Sequence, residues 1–471
     1  MSPLFRLGLA VALAAASPAA AQSDADLLAG LGAADAATGA AQDPAMEAED
    51  TSSARPAQAL RWHLETDATA YDRRPAYPAQ PDPSADASAR ARLAFEGGLV
   101  LGAATTLRLN GALTLHTEDG GGLGWSEAAR FDLREAYVLH QSGNLTFEIG
   151  RVNIRNGVAQ GFNPVDFFRA QDVGQRPDLD PSEARRNRLG VVAARVGYLW
   201  DTGAASFAYL PRITGGDDLL QDRAVWGFNL GATNPTERML FSVTQELTEG
   251  LSPEVFALLE EGDVTAGVAA SVSVGDNWLI YGEATRGAGR SLMDAAFADA
   301  RAQGRLSRPI AAEYGAGEGR QLITRAALGV SYTAPSNIVA TLEYHHNGAG
   351  FSAADWDRYF ALAGTVEGNA QASAQLASVS LRGALTQEPM SQDSLWLRVV
   401  KTDPVPGLTL SALGGLSLED GSGSLQLGAD YDLADGVVLT GRLGGNIGPR
   451  ESDYGSRSSR AFGTIGVAMH F

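Results

Sequence analysis

Apolar and polar residues take turns along much of this chain, and that two-residue period constrains the fold more than any other feature. Ile465, Val467, Met469 and Phe471 fall on one face of an extended segment, and Thr464, Gly466, Ala468 and His470 on the other. The same rhythm sets Leu107, Leu109, Leu113 and Leu115 against Arg108, Asn110, Thr114 and His116. It sets Phe131, Leu133, Tyr137 and Leu139 against Arg130, Asp132, Arg134 and His140. Ile338, Leu342 and Tyr344 oppose Thr341, Glu343 and His345, and Leu425, Leu427 and Tyr431 oppose Gln426, Asp430 and Asp432. Such segments are strands with one apolar and one polar face.

A terminal strand with an apolar stripe and a final aromatic resembles the closing strand of bacterial outer-membrane β-barrels, which carries their insertion signal. Phe471 would then be read by the barrel-assembly machinery. The other end of the chain agrees. Met1 to Arg6 form a short positive region, Leu7 to Ala16 an apolar run, and Ala19-Ala20-Ala21 a small-residue cleavage site. That pattern is a secretory signal. Beyond it no run of eighteen or more apolar residues exists, which excludes helical spans. A closed barrel is the other backbone able to cross lipid with its polar groups paired.

The expected organisation is a signal peptide at 1–21, a disordered periplasmic tail at 22–57 rich in Ala, Asp and Ser, and a barrel from 58 to 471. The fold class is all-β: a transmembrane antiparallel barrel of about eighteen strands, give or take two, and even in number. Tight joins are expected at Gly102-Ala103-Ala104, Ser142-Gly143-Asn144, Asp201-Thr202-Gly203, Gly275-Asp276-Asn277, Ala334 to Asn337 and Ala434-Asp435-Gly436. They interleave with long joins near 118–128, 156–186, 212–222, 288–320, 347–358 and 448–459. The stretch 348–376 fits poorly: it needs an extra strand at Tyr359 to Gly364 or a helix starting at Asp355-Trp356-Asp357.

Composition enters through what it excludes. No cysteine is present, so there is neither a disulfide nor a thiolate metal site. The formal net charge of -19 argues against a nucleic-acid partner. Lys401 is the only lysine, so the cationic charge is almost wholly arginine. A charge facing lipid near the midplane costs about 2–4 kcal/mol, so charged strand residues should face inward. The expected pore-lining set is Arg108, Arg130, Arg134, Arg325, Arg382, Arg398 and Arg442 with Asp132, Glu343 and Asp430, joined by Arg92, Glu96, Glu283 and Asp432. Guanidinium forks suit planar carboxylates, so sugar acids and other organic acids are plausible anions for such a path. An alternative role for the same charges is a salt-bridge network that holds the wall.

The join at 156–186 is long enough to suggest a purpose. It follows Glu148-Ile149-Gly150-Arg151 and carries Asn156-Gly157, Asn163-Pro164-Val165-Asp166 and Phe167-Phe168-Arg169. One reading is an infolded constriction with Arg151, Arg155, Asp166 and Arg169 near the solute; the other is a loop covering the mouth. Gly150-Arg151, the Asn-Gly step and Asn163 to Phe168 resemble the alginate-export type of outer-membrane porin. Asp420-Gly421-Ser422 and Ser452 to Gly455 are similar to that group as well. The resemblance implies an outer-membrane barrel of this size passing sugars, polyuronates or other small solutes. A strongly cationic lumen with several lysines would go with alginate itself, and this chain does not have it.

Enzyme readings find no footing. There is no Gly-x-Ser-x-Gly elbow, phosphate loop or His-Glu-x-x-His site. Of the six histidines, His116, His140 and His345 should point inward by parity. His345 and His346 are adjacent on a strand, face opposite ways and make a poor chelate. No cofactor and no metal are expected. Trp278, Tyr281, Tyr332, Tyr344 and Tyr431 sit near strand ends, as an interfacial girdle would. The expected function is passive passage of small polar or anionic solutes, with a plugged adhesion or structural barrel as the alternative. Oligomeric state and direction of transport are not legible.

Overall fold

Side chains two apart share a face, so the alternating segments can pair edge to edge only as a sheet, and that sheet closes on itself. The computed structural model describes residues 60–78, 86–118, 129–169, 188–213, 230–315, 317 and 319–471. The expected signal peptide and most of the tail, and parts of the joins near 118–128, 156–186 and 212–222, lie outside these residues.

The wall has eighteen antiparallel strands. The first nine are β1 (Arg61–Arg73), β2 (Ala87–Gly102), β3 (Thr105–Glu118), β4 (Ala129–Ser142), β5 (Leu145–Val152), β6 (Val191–Trp200), β7 (Gly203–Leu210), β8 (Arg238–Gln245) and β9 (Glu254–Glu260). Then come β10 (Asp263–Val274), β11 (Trp278–Gly289), β12 (Gln321–Ala334), β13 (Ile338–Asn347), β14 (Asp393–Thr402), β15 (Leu408–Ser417), β16 (Gly423–Ala434), β17 (Val437–Ile447) and β18 (Ser459–His470). Each strand pairs with its neighbours in sequence, and β1 pairs with β18 to shut the ring. Trp62 and Phe471 exchange backbone hydrogen bonds of 3.0 and 2.9 Å at that seam. No free sheet edge is left, which removes the template for edge-to-edge aggregation.

All six expected tight joins are turns, and they leave from the same end as the seam's Trp62–Phe471 bonds. Gly143 and Gly436, at φ of 59° and 72°, supply the left-handed backbone such two-residue hairpins need. The opposite end carries the long joins, with two short exceptions at Glu261-Gly262 and Leu418 to Ser422.

The stretch 348–392 takes the helical one of the two expected alternatives. It holds two helices, and the alternative of a strand at Tyr359 to Gly364 is not realised. Ser352 and Asp355 form a reciprocal capping box, and Trp356, Tyr359, Phe360 and Ala363 are buried along one face of the helix that follows. We number the helices α1 (Leu230–Thr233), α2 (Leu292–Ala302), α3 (Arg308–Tyr314), α4 (Ala353–Thr365) and α5 (Ala370–Thr386). From α2 to α5 they share one apolar core with Tyr77, Ile323 and Phe351 at the long-join end. Arg382, expected on a strand face, lies on α5 instead, because Asn369 caps a helix that runs past it.

Outward faces are apolar and bare: Leu443, Ile149 and Ile465 are 65%, 64% and 62% exposed. Inward faces hold the buried polar side chains, among them Glu65, Arg92, Asp132, Glu148, Glu283, Glu343 and Gln426. Three register shifts lie at strand ends, and a fourth falls mid-strand in β4. Asn110 pairs with Glu135 and Gly111 with Leu133, so Arg134 is an extra residue in β4 and its sequel is turned over. Arg134 is therefore buried like Asp132, and Tyr137 and Leu139, expected outside, are buried within. His140, expected inside, is exposed opposite Phe147 and bonds Thr105 Oγ1 at 2.9 Å.

Candidate functional site

Carboxylates and guanidinium groups on neighbouring strands come within reach of each other because antiparallel register sets them directly or diagonally opposite. On β1 and β2, Arg90 Nε donates to Asp67 at 2.9 Å, and both Arg90 and Arg92 lie 3.5 Å from Glu65. Within β4, Arg130 grips Asp132 two residues on, with two nitrogens at 2.9–3.0 Å. Arg442 does the same to Asp430 at 2.7 and 2.9 Å, and Arg195 lies 3.3 Å from Glu148. Arg398 shares the inward face of β14 with Trp396, and its Nε is buried with no hydrogen-bond partner. Arg108 occupies the inward face of β3, where it is half-buried opposite Tyr137.

On the other side the interior is reached by a connection. After β5 the chain runs through residues 153–169, and four successive backbone N–H groups meet wall carboxylates. Val158 and Ala159 donate to Glu283 Oε1 on β11, the second at 2.8 Å. Gln160 and Gly161 donate to the two oxygens of Glu343 on β13 at 2.7 and 2.8 Å. Glu343 also accepts from the Tyr281 hydroxyl and lies 2.7 Å from His345 Nε2. A carboxylate that collects this many donors is well compensated for its burial.

Two glycines let the backbone come so close. At Gly157, with φ of 74°, an added Cβ would sit 2.5 Å from Glu283 Oε1. At Gly161 it would sit 2.7 Å from Trp396 and 2.8 Å from His345. Phe162 packs edge-on to His345, and Phe167 packs against Phe256 on β9. Val165 and Phe168 join Tyr137, Leu139, Leu210, Leu240 and Phe256 in an apolar cluster within the ring.

Three of the four residues expected at a constriction are engaged with neighbouring groups of the chain. Asp166 is clasped by Arg188, whose Nη2 reaches Asp166 Oδ1 at 2.6 Å and the Ile154 and Phe168 carbonyls at 2.5 and 3.1 Å. Arg188 thus ties the start of the segment to its end. Arg151 donates from Nε to the Gly190 carbonyl at 3.0 Å, which closes the base of the same connection. Arg169 stacks over Phe162 and lies 3.5 Å from Glu388, which Arg325 also approaches to 3.1 Å. Burial pushes the Glu388 carboxyl up, but Arg325 and Arg169 pull it further down, to below the usual carboxylate range. Arg155 is half-buried just past β5.

Glu283 was legible as an inward acid, but nothing in the sequence assigned it to this connection. Tyr281, expected in a girdle, is buried against Glu343, because it shares an inward face with Glu283. Trp278 and Tyr332 do face outward and pack together at 4.5 Å between ring centroids. Among the described residues no cluster of three or more His, Asp or Glu has the layout of a metal site.

The fold is thus a closed barrel with an apolar outer belt and a charged, partly occupied interior. No family model matches the chain, and no curated protein does. Among solved structures it is similar to variants of the Rh. blastica porin. Two of these are 14% and 13% identical, with TM-scores of 0.40 and 0.39. A triple mutant of the Rhodopseudomonas blastica porin is 12% identical with a TM-score of 0.41. Each comparison covers 88% of this chain and all of the other.

Proposed function

We propose that this protein is an outer-membrane channel through which small polar or anionic solutes diffuse, narrowed by the segment 153–169 folded inside the ring. The observation that carries this reading is the inverted face pattern of a closed eighteen-strand wall: apolar and bare outside, charged and ion-paired inside. An outward belt this apolar is costly in water and stable in lipid. A ring of eighteen strands is also too wide for wall side chains alone to fill, so it encloses water or a plug. Sugars, oligosaccharides and organic acids fit a path whose polar groups come as opposed charges, and the likeness to alginate-export-type porins belongs to this reading. Insertion would proceed through the barrel-assembly machinery acting on the β18 strand and Phe471.

The second reading, a plugged barrel that presents its loops, has support of its own. Helices α2 to α5 form a packed cap at the long-join end, and an apolar cluster fills the ring near β4 to β10. Planar-bilayer recordings of the refolded protein separate the two. Stepwise currents, with anion preference in a salt gradient, are the expected result. A folded barrel that carries no current would overturn the channel and leave the plugged reading.

A further inference from the structure

His345 and His346 fail as a chelate because neighbours on one strand diverge. Neighbours across two strands converge, and one histidine pair in this barrel does so. His63 on β1 and His470 on β18 are directly opposed across the seam where the first and last strands meet. Their Nδ1 atoms are 3.0 Å apart and their ring centroids 4.2 Å apart. On the far side of its ring, His63 Nε2 lies 2.7 Å from Glu65 Oε1. Glu65 is in turn held by Arg90 and Arg92.

The carboxylate decides the chemistry of the pair. It fixes the His63 proton on Nε2, so Nδ1 presents a lone pair toward His470. A carboxylate behind an imidazole is also the arrangement that orients a metal-bound histidine and raises its basicity. The spacing suits the same role. A metal about 2.0–2.1 Å from each nitrogen would see the two Nδ1 atoms at an angle of roughly 95°, as adjacent ligands. The His63 side chain keeps 19% of its surface exposed, so the pair is reachable from solvent.

We propose that His63 and His470 form a binding site for a divalent transition metal, Zn2+ or Cu2+, at the seam of the barrel, with water completing the coordination. Imidazole nitrogens select these ions over Mg2+ and Ca2+, which take oxygen ligands. Without metal the pair shares one hydrogen bond, the Nδ1–H of His470 donating to Nδ1 of His63. With metal, both nitrogens become ligands and the proton of His470 moves to its Nε2. Because the two residues belong to the first and last strands, the ion clips the ring shut and stabilises the closed wall by its binding free energy. The site does not depend on the channel reading, since it is tested without current.

The experiment is a calorimetric titration of the refolded full chain with ZnCl2, alongside thermal unfolding with and without the metal and a parallel series in MgCl2. The expected result is saturable binding of one Zn2+ per chain and a higher unfolding temperature that EDTA reverses. His63→Ala and His470→Ala should each weaken binding about tenfold or more, and the double variant should lose no more than either single. His470→Asn keeps a hydrogen-bonding side chain at the seam, so it should fold and lose the metal equally. Absence of saturable binding, an unchanged affinity in the folded variants, or an equal stabilisation by MgCl2 would each overturn the proposal.

Discussion

Along β1 and β2 each buried carboxylate meets an arginine on a neighbouring strand, whereas along β11 and β13 it meets the backbone of a connection that starts after β5. Asp67 and Glu65 take Arg90 and Arg92 as partners across the two strands. Glu283 takes the N–H groups of Val158 and Ala159 on one oxygen, and Glu343 takes those of Gln160 and Gly161 beside the Tyr281 hydroxyl and His345. In the first sector the carboxylates are paired by side chains of the wall itself. The second needs residues 153–169 in place, because without them buried Glu283 loses its two backbone donors and Glu343 keeps only Tyr281 and His345. Strand length differs in the same sense but modestly: β1 and β2 have 13 and 16 residues, β11 and β13 have 12 and 10.

This contrast can be broken from either side. The largest effect should come from Glu343→Ala. It removes the acceptor for Gln160, Gly161 and Tyr281 together and should cost on the order of 3 kcal/mol. Thermal unfolding would register the loss, and bilayer currents should become larger and noisier as the segment detaches. Unchanged current with lowered stability would mean that the segment lies out of the conducting path. A smaller change is expected in the β1–β2 sector. Arg90→Ala leaves Asp67 without its 2.9 Å partner but moves no connection, so the reversal potential should shift toward cations at nearly constant conductance. A shift toward anions would contradict an ion-paired solute path. Smallest of all, Ser352→Ala removes one half of the α4 capping box and should cost about 1 kcal/mol. Its current should match the native protein's, because the helical cap belongs to neither sector; a changed current would put the cap in the path.

Several elements could be read without coordinates, and their signals are local. Alternation and hairpin chemistry act over two to five residues, so strand number, the six tight turns and the inward face of Arg130, Asp132, Asp430 and Arg442 could be read directly. The α4 helix was half legible. Trp356, Tyr359, Phe360 and Ala363 recur at helical spacing behind a Ser352–Asp355 cap, a pattern that favours a helix over the alternative strand. The bulge at Arg134 left no such trace, because one extra residue alters parity only when a partner strand counts against it. Hence Tyr137 and His140 changed places.

The order of apolar and polar residues by itself determined a wall of about eighteen two-faced strands, because side-chain direction repeats every second residue whatever the partner. Closure of that wall decided the rest. It brought Glu343 to Gly161, Arg188 to Asp166, and His63 to a histidine 407 positions away. Those meetings depend on which strands become neighbours around a ring and where a long connection re-enters it, and no local periodicity carries that distance.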